Sequence, residues 1–146
     1  MTSGGALIDL LPHRIPMRLV EAVVEVTPGQ SARGRRLAKP DDWYFQGHFP
    51  GDPVVPAIVL VELLAQTGGI AACSVGEAPG RSLRVAAFGA FKFPGAARPH
   101  AVLEAVARVA GRMGGMIKIE GEVTADGVRV AIGSLVLAEA PQEGTA

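Results

Sequence analysis

Two residues near the centre of the chain are of types that transfer protons. His48 lies in a loop rich in glycine and proline, and Glu62 lies in the almost wholly apolar segment that follows. Burial without a cationic partner raises the pKa of a carboxyl group, because desolvation disfavours the charged form. Such a group can act as a general acid near neutral pH while an imidazole acts as the base. The residue types alone also allow structural roles, an exposed histidine and a locally satisfied glutamate.

The surroundings of these two residues favour a positioned pair. Pro50 and Gly51 stiffen the loop of His48 and allow close approach of its backbone. Gln66 follows Glu62 at i+4, on the same helix face and within hydrogen-bonding reach. The first N–H groups of the helix, at Ala57 and Ile58, lack intrahelical partners and can polarise a carbonyl group.

The apolar segment predicts one long helix, from Pro56 to about Cys73, that decays in "VGEAPGRS". The preceding "PDDWYFQGHFPGDPVVP" predicts loop throughout, since it carries four prolines and two glycines. Turn residues, among them the Gly114-Gly115 pair, separate segments with strand character. The predicted strands are Arg18–Val26, Ser31–Lys39, Leu83–Phe93, Ala101–Gly111, Met116–Thr124 and Val128–Ala140. This order predicts an α+β fold whose last three strands form an antiparallel meander.

A helix that is apolar on every side must be covered on every side, and one curved sheet wraps only part of it. We therefore expect at least a dimer. The stretch Val54–Val75 approaches the length of a membrane span. Pro56, Glu62, Gln66 and the lack of flanking basic anchors favour a buried helix instead.

The composition limits the number of domains, the kinds of partner and the compartment that the protein can have. The 146 residues fit one domain, predicted over residues 1–140, with a flexible tail at 141–146. A formal net charge of zero gives no indication of nucleic acid or of an anionic membrane as a partner. The single cysteine, Cys73, excludes an intramolecular disulfide, and the first residues do not read as a secretory signal. A cytoplasmic protein is expected.

The stretch "GHFPGDPVVPAIVLVELLAQTGG" resembles the signature of the hot-dog-fold 3-hydroxyacyl-acyl-carrier-protein dehydratases. The upstream "LPHRIPMRLVE" resembles the opening of that family, and "FGAFKF" resembles the strand after its central helix. The likeness covers most of the chain. It implies a long buried helix wrapped by a curved antiparallel sheet, and a dimer with the active site at its interface.

The resemblance also implies the roles of the site residues. His48 of one subunit would remove the α-proton of a 3-hydroxyacyl thioester, and Glu62 of the other would protonate the departing hydroxyl. Gln66 would support the acid, with the N–H groups at Ala57 and Ile58 as oxyanion donors. The reaction needs no metal or cofactor, and its substrate arrives on the phosphopantetheine arm of an acyl carrier protein.

An apolar tunnel beside the helix would hold the acyl chain, and its expected lining is Phe49, Pro50, Val55, Pro56, Phe91 and Phe93. An acidic carrier protein would need a basic docking surface. The candidates are Arg33, Arg35, Arg36, Lys39, Lys92 and Arg98.

Some positions depart from the family pattern. Ala57 stands where relatives usually have glycine, and its methyl group could narrow the oxyanion site or be harmless if φ is negative. His100-Ala101 replaces the usual Gly-Asp turn, and His100 is expected to be exposed. Glu62 points to the branch that only dehydrates, whereas "PDDWYFQ" resembles the branch that also isomerises. His13 in "LPHR" is interpreted as a packing and dimer-contact residue.

Rival functions come from different classes. A thioesterase or an acyl-CoA hydratase of the same fold is the nearest enzyme alternative. A non-catalytic subunit of a heterodimer is a second, and a binding module is a third. Both are disfavoured because His48 and Glu62 are both present.

Overall fold

The computed structural model describes residues 7–73 and 83–139 as one helix packed on a six-stranded antiparallel sheet. The strands are β1 (Ala22–Thr27), β2 (Ser31–Leu37), β3 (Leu83–Lys92), β4 (Val102–Met113), β5 (Met116–Ala125) and β6 (Val128–Glu139), and the helix is α1 (Ala57–Cys73). The predicted α+β order is confirmed. The stretch "VGEAPGRS", where the helix was predicted to decay, and the tail at 141–146 both lie outside the described residues.

The sheet has the strand order β1-β2-β4-β5-β6-β3. The Gly114-Gly115 turn joins β4 to β5 and pairs Met113 with Met116, and a second turn joins β5 to β6. The predicted meander is therefore confirmed. β3 pairs with β6 at the end of this order, so the strand that follows the helix lies at the far side of the sheet from β1.

The helix packs across β2, β4, β5 and β6, and its apolar side chains form the core with the inner face of the sheet. Leu63, Leu64 and Ile70 of the helix are fully buried against Leu103 and Ile119 of the sheet. At Gly68 the two layers meet so closely that an added Cβ would lie 2.8 Å from Ile119 Cγ2. The small residue at this position sets the distance between helix and sheet.

The first strand is shorter than predicted. It begins at Ala22, because the N–H groups of Leu19 and Val20 bond to the Gln66 side chain rather than to a neighbouring strand. The loop over residues 40–56 was predicted to contain no regular structure. That prediction is wrong for Trp43–Phe45, which form one 3-10 turn. That turn is held by a side-chain network described below.

One end of the helix and most of β3 remain uncovered in a single chain. Ile58 on the first turn is 77% exposed and Phe88 on β3 is 65% exposed. The prediction that one sheet cannot cover the whole helix is thus confirmed for its N-terminal end. No helix in the described ranges is long and apolar enough to cross a membrane.

Candidate active site

Glu62 lies on the first half of α1, where two polar side chains face one of its carboxyl oxygens. Gln66 Nε2 is 3.4 Å from Glu62 Oε2, and His13 Nε2 is 3.9 Å from the same oxygen. Burial raises the pKa of the Glu62 carboxyl above its ordinary value, and the hydrogen bond from Gln66 opposes the rise only partly. This environment favours the protonated carboxyl that a general acid requires.

Gln66 is buried and joins the helix to the segment before β1. Its Oε1 accepts a hydrogen bond from the Leu19 N–H at 2.8 Å and a longer one from the Val20 N–H at 3.4 Å. Its Nε2 donates to the Met17 carbonyl at 2.7 Å and to Glu62. The amide thereby satisfies backbone groups that have no strand partner. The sequence indicated the contact with Glu62 but not this second role.

An apolar groove of about 550 Å³ opens along the N-terminal half of α1, and Glu62 is the acidic residue in its lining. Ala57 and Ile58 line it from the helix, and Phe91 and Phe93 line it from β3 and the residue that follows. These residues were expected at the oxyanion site and in the tunnel. The structure brings them together beside the acid.

The other expected tunnel residues do not line this groove in the described part of one chain. Val55 is buried in the core, whereas Phe49 is 52% exposed and stacks on the His48 ring at a centroid distance of 4.1 Å. Pro50 directly follows Phe49 and Pro56 directly follows Val55, and neither proline is part of the groove lining. Their place in a tunnel remains a prediction.

His48 is held by its loop in a definite orientation. Gly47 and Gly51 take left-handed φ angles of 77° and 74°, which glycine adopts at no steric cost. The His48 Nδ1 lies 3.0 Å from the Val54 carbonyl oxygen. Because a carbonyl only accepts, Nδ1 is a protonated nitrogen, and in the neutral ring Nε2 keeps a lone pair. The ring is half-buried and presents Nε2 as a base.

Within the described part of one chain, His48 lines neither the apolar groove nor a smaller cavity, both of which Glu62 lines. The sequence expectation was that the histidine of one subunit meets the glutamate of the other. The separation in one chain agrees with that expectation but does not test it.

The smaller cavity, of about 240 Å³, lies on another side of Glu62 and is also lined by His13 and Gln66. Burial and the nearby Arg18 charge lower the pKa of His13. Its Nδ1 is buried and has no hydrogen-bond partner among the described residues. The sequence interpretation assigned His13 to packing and dimer contact, and nothing in the local pattern indicated that it faces the acid.

The start of the helix is regular at Ala57. The Pro56 carbonyl accepts hydrogen bonds from the Val59 and Leu60 N–H groups, at 2.9 and 3.3 Å. Among the described non-glycine residues, positive φ occurs at His100 and Asp126. Ala57 therefore has an ordinary backbone conformation that needs no glycine.

The candidate docking cations fall into different environments. Arg33 and Arg35 bind Glu104 at 3.0 and 2.7 Å on the solvent side of β2, and Arg98 binds Asp52. Lys92 is exposed at the end of β3, and Lys39 binds Glu21 at 2.7 Å.

The structure corrects the prediction that Arg36 is an exposed docking residue. It is 8% exposed, because successive residues of a strand point to opposite faces. Its guanidinium donates to the Tyr44 hydroxyl and the Leu19 carbonyl and lies 3.1 Å from the Asp42 carboxylate. Burial and the hydrogen bond to Asp42 raise the pKa of Tyr44 to about 12. Arg36 anchors the Trp43–Phe45 turn and is removed from the docking candidates.

Comparison with solved structures places this fold in a class. The solved dehydratase heterocomplex ApeI:P from Xenorhabdus doucetiae has a similar chain, with a TM-score of 0.80, 20% identity and coverage of 94% of this chain and 91% of that one. The Escherichia coli PaaI protein gives a TM-score of 0.64 at 14% identity, over 80% and 81% of the two chains. The hot-dog fold expected from the sequence is confirmed.

Sequence comparison then identifies the family. The model of the FabA-like domain matches residues 11–134, and the chain belongs to that family. A protein of Roseiflexus castenholzii named 3-hydroxyacyl-[acyl-carrier-protein] dehydratase FabZ is 36% identical over 132 residues, 90% of this chain and 92% of that protein. A protein of the same name from Chloroflexus aggregans is 41% identical over 99 residues, 68% of this chain and 69% of its own length. The resemblance seen in the sequence is confirmed.

Proposed function

We propose that the protein dehydrates 3-hydroxyacyl groups on acyl carrier protein to trans-2-enoyl groups, in fatty-acid or related lipid or polyketide biosynthesis. The observation that carries this proposal is Glu62. It is a carboxyl group with a raised pKa at the edge of an apolar groove, beside the start of a helix. The dehydratase names of the similar proteins support the same reaction.

Each part of the site has one task in this reaction. His48 Nε2 takes the proton from the α-carbon, and the electron pair forms the new double bond. The bond from the β-carbon to oxygen breaks as Glu62 donates its proton, so that water leaves. The N–H groups of Ala57 and Ile58 stabilise the negative charge on the thioester oxygen. The groove beside β3 holds the acyl chain.

The complete site requires a second copy of the chain in this proposal, with His48 of one subunit facing Glu62 of the other. Ile58 and Phe88 are largely exposed on the groove side of a single chain, and Phe93 is 43% exposed. A continuous exposed apolar surface is typical of an interface. Burying this surface against a symmetric copy would also bring the missing base to the groove.

The test uses a 3-hydroxyacyl group on carrier protein and on coenzyme A, with formation of the enoyl thioester as readout. His48→Ala and Glu62→Gln should each lower kcat by at least about 100-fold, the range of general acid and base catalysis. Absence of enoyl product with the wild-type protein contradicts the proposal. So does full activity in both variants.

Mixing the two inactive variants tests where the residues meet. If His48 and Glu62 come from different subunits, each mixed dimer contains one intact site, and random exchange restores up to about a quarter of wild-type activity. If both residues act within one chain, mixing restores nothing. The wild-type protein carried through the same exchange procedure is the control.

Carrier docking is proposed for Lys92 and Arg98. Both are exposed close to the chain positions of Phe91 and Phe93, which line the groove. Charge reversal at Lys92 and at Arg98 should raise KM for the carrier-bound substrate and leave KM for the coenzyme A substrate unchanged. Arg108→Glu, at another exposed cation on β4, is the control.

A further inference from the structure

His13 lies against the acid from a different part of the chain. It belongs to the segment before β1, which Gln66 ties to the helix through Met17, Leu19 and Val20. The His13 and Glu62 side chains are 26% and 28% exposed, and His13 Nε2 is 3.9 Å from Glu62 Oε2. Catalytic hydrogen bonds are often long in a protein without substrate and shorten in the complex.

The buried Nδ1 of His13 determines which nitrogen carries the proton. An orphaned N–H costs more than an unfilled lone pair in a buried position, so the proton belongs on Nε2. Burial and Arg18 lower the His13 pKa, so the ring is neutral rather than one half of an ion pair. The neutral ring therefore directs a single N–H towards Glu62.

Both donors near Glu62 face the same oxygen. Gln66 Nε2 is 3.4 Å from Oε2, and His13 Nε2 is 3.9 Å from the same oxygen. A protonated carboxyl group carries one proton, and an oxygen that faces two donors is the acceptor. Oε1 is then the oxygen that carries the acidic proton.

We propose that His13 is a positioning residue for Glu62. Its Nε2–H keeps Oε2 of Glu62 as the hydrogen-bond acceptor, so that the acidic proton is bound to Oε1. This inference rests on the proposed dehydration and deepens it. In each turnover the Oε1–H bond breaks, the proton passes to the departing hydroxyl, and water leaves. The Nε2–H of His13 then stabilises the resulting carboxylate until Glu62 regains a proton from solvent.

Among the described residues, the other ionisable groups near this pair are Arg18, which acts on His13 and lies 3.8 Å from Asp9, and Arg84 and Cys73, which line the smaller cavity. Arg18 also donates to the His13 carbonyl at 3.2 Å and so helps to hold the segment. Because Arg18 also influences the pKa of the His13 ring itself, it is not a structural control.

Arg14 donates to the His13 carbonyl at 2.9 Å and to the Leu11 carbonyl at 3.0 Å, and it is not among the causes that lower the His13 pKa. Arg14→Met loosens the segment but keeps the imidazole and its charged neighbour, and it is therefore the matched control for a purely structural effect.

The first experiment does not depend on activity. NMR of protein labelled with ¹⁵N in histidine and ¹³C in the glutamate carboxyl groups reports the His13 tautomer and the titration of Glu62. We expect the Nε2–H tautomer, and in His13→Leu a rise of the Glu62 pKa by about half a pH unit or more, because a donor to the carboxylate is lost. His13→Gln retains an N–H donor and should keep the wild-type titration.

The second experiment is the pH dependence of kcat. His13→Leu should lower kcat about tenfold, a part of what general acid catalysis contributes, with little change in KM. It should also move the alkaline limb of the profile to higher pH. His13→Gln should recover most of kcat, and Arg14→Met should lower Tm while keeping kcat near wild type.

Three results would overturn the proposal. They are an Nδ1–H tautomer, an unchanged Glu62 titration in His13→Leu, and a kcat loss in Arg14→Met as large as in His13→Leu. A wild-type protein without dehydratase activity contradicts the proposed function instead. The NMR titration then still decides whether His13 acts on Glu62.

Discussion

Gln66 Oε1 accepts a hydrogen bond from the Leu19 N–H at 2.8 Å, across 47 positions of sequence. The same amide reaches Glu62, so one buried side chain joins the candidate acid to the segment that carries His13. Its loss should affect folding and the site together.

Gln66→Ala should lower the free energy of unfolding by about 2–4 kcal/mol, because it leaves the Leu19 N–H buried without a partner and removes the partly buried bond to the Met17 carbonyl. Urea unfolding measures the change. Gln46→Ala, at an exposed position, is the control and should stay within about 0.5 kcal/mol of wild type. Equal effects of the two variants would contradict the role of the buried amide.

Glu62→Gln should remove activity and raise stability at neutral pH. The folded-state pKa of Glu62 lies above the ordinary 4.5, so its contribution to stability is fully present below that pH and is lost as pH rises through the folded pKa. The gain in Tm of Glu62→Gln over wild type should therefore be larger at pH 8 than at pH 4. Glu120→Gln, at an exposed carboxylate, is the comparison. A gain that does not change with pH would contradict the prediction.

Arg36→Leu and Arg35→Leu should differ although the residues are adjacent. Arg36→Leu leaves the Asp42 carboxylate without its buried partner and should cost about 3–5 kcal/mol. Arg35 forms an exposed pair with Glu104, so Arg35→Leu should cost less than about 1 kcal/mol. Denaturant unfolding of both variants tests this. Similar costs would mean that Arg36 is not an internal anchor.

Gly68→Ala should destabilise the protein although alanine is the better helix former. Its Cβ would lie 2.8 Å from Ile119 Cγ2, and overpacking of this kind costs about 1–3 kcal/mol, against a gain of about 1 kcal/mol in helix propensity. Gly69→Ala meets only Leu11 Cδ2, at 3.6 Å, and should be neutral or stabilising. The ranking of the two Tm values checks the prediction, and the reverse order would contradict it.

His100→Gly should stabilise the protein by about 0.5–1 kcal/mol. His100 has a φ of 76°, and relief of this strain exceeds the extra flexibility that glycine gives the unfolded chain. Asp126 also has a positive φ, of 49°, but its carboxylate accepts from the Val102 N–H at 2.9 Å. Asp126→Gly should therefore gain nothing in thermal unfolding. A loss of stability in His100→Gly would show that the imidazole has a contact role.

The sequence alone was sufficient for features that depend on local pattern. The helix over Ala57–Cys73, the Gly114-Gly115 turn and the antiparallel meander follow from apolar runs and turn residues. The types of His48 and Glu62, and their resemblance to a family, indicated the chemistry. These features are encoded by residues close to one another in the chain.

Only the tertiary structure decided which side chains meet across long sequence distances. It placed His13 beside Glu62, turned Arg36 inward to Asp42, and moved the start of β1 to Ala22 because Gln66 takes the N–H groups of Leu19 and Val20. Such contacts depend on how the packed layers approach each other, since no local periodicity records which distant residues share a cavity. The same reason explains why His48, close to Glu62 in sequence, lines neither the apolar groove nor the smaller cavity beside Glu62 within the described part of one chain.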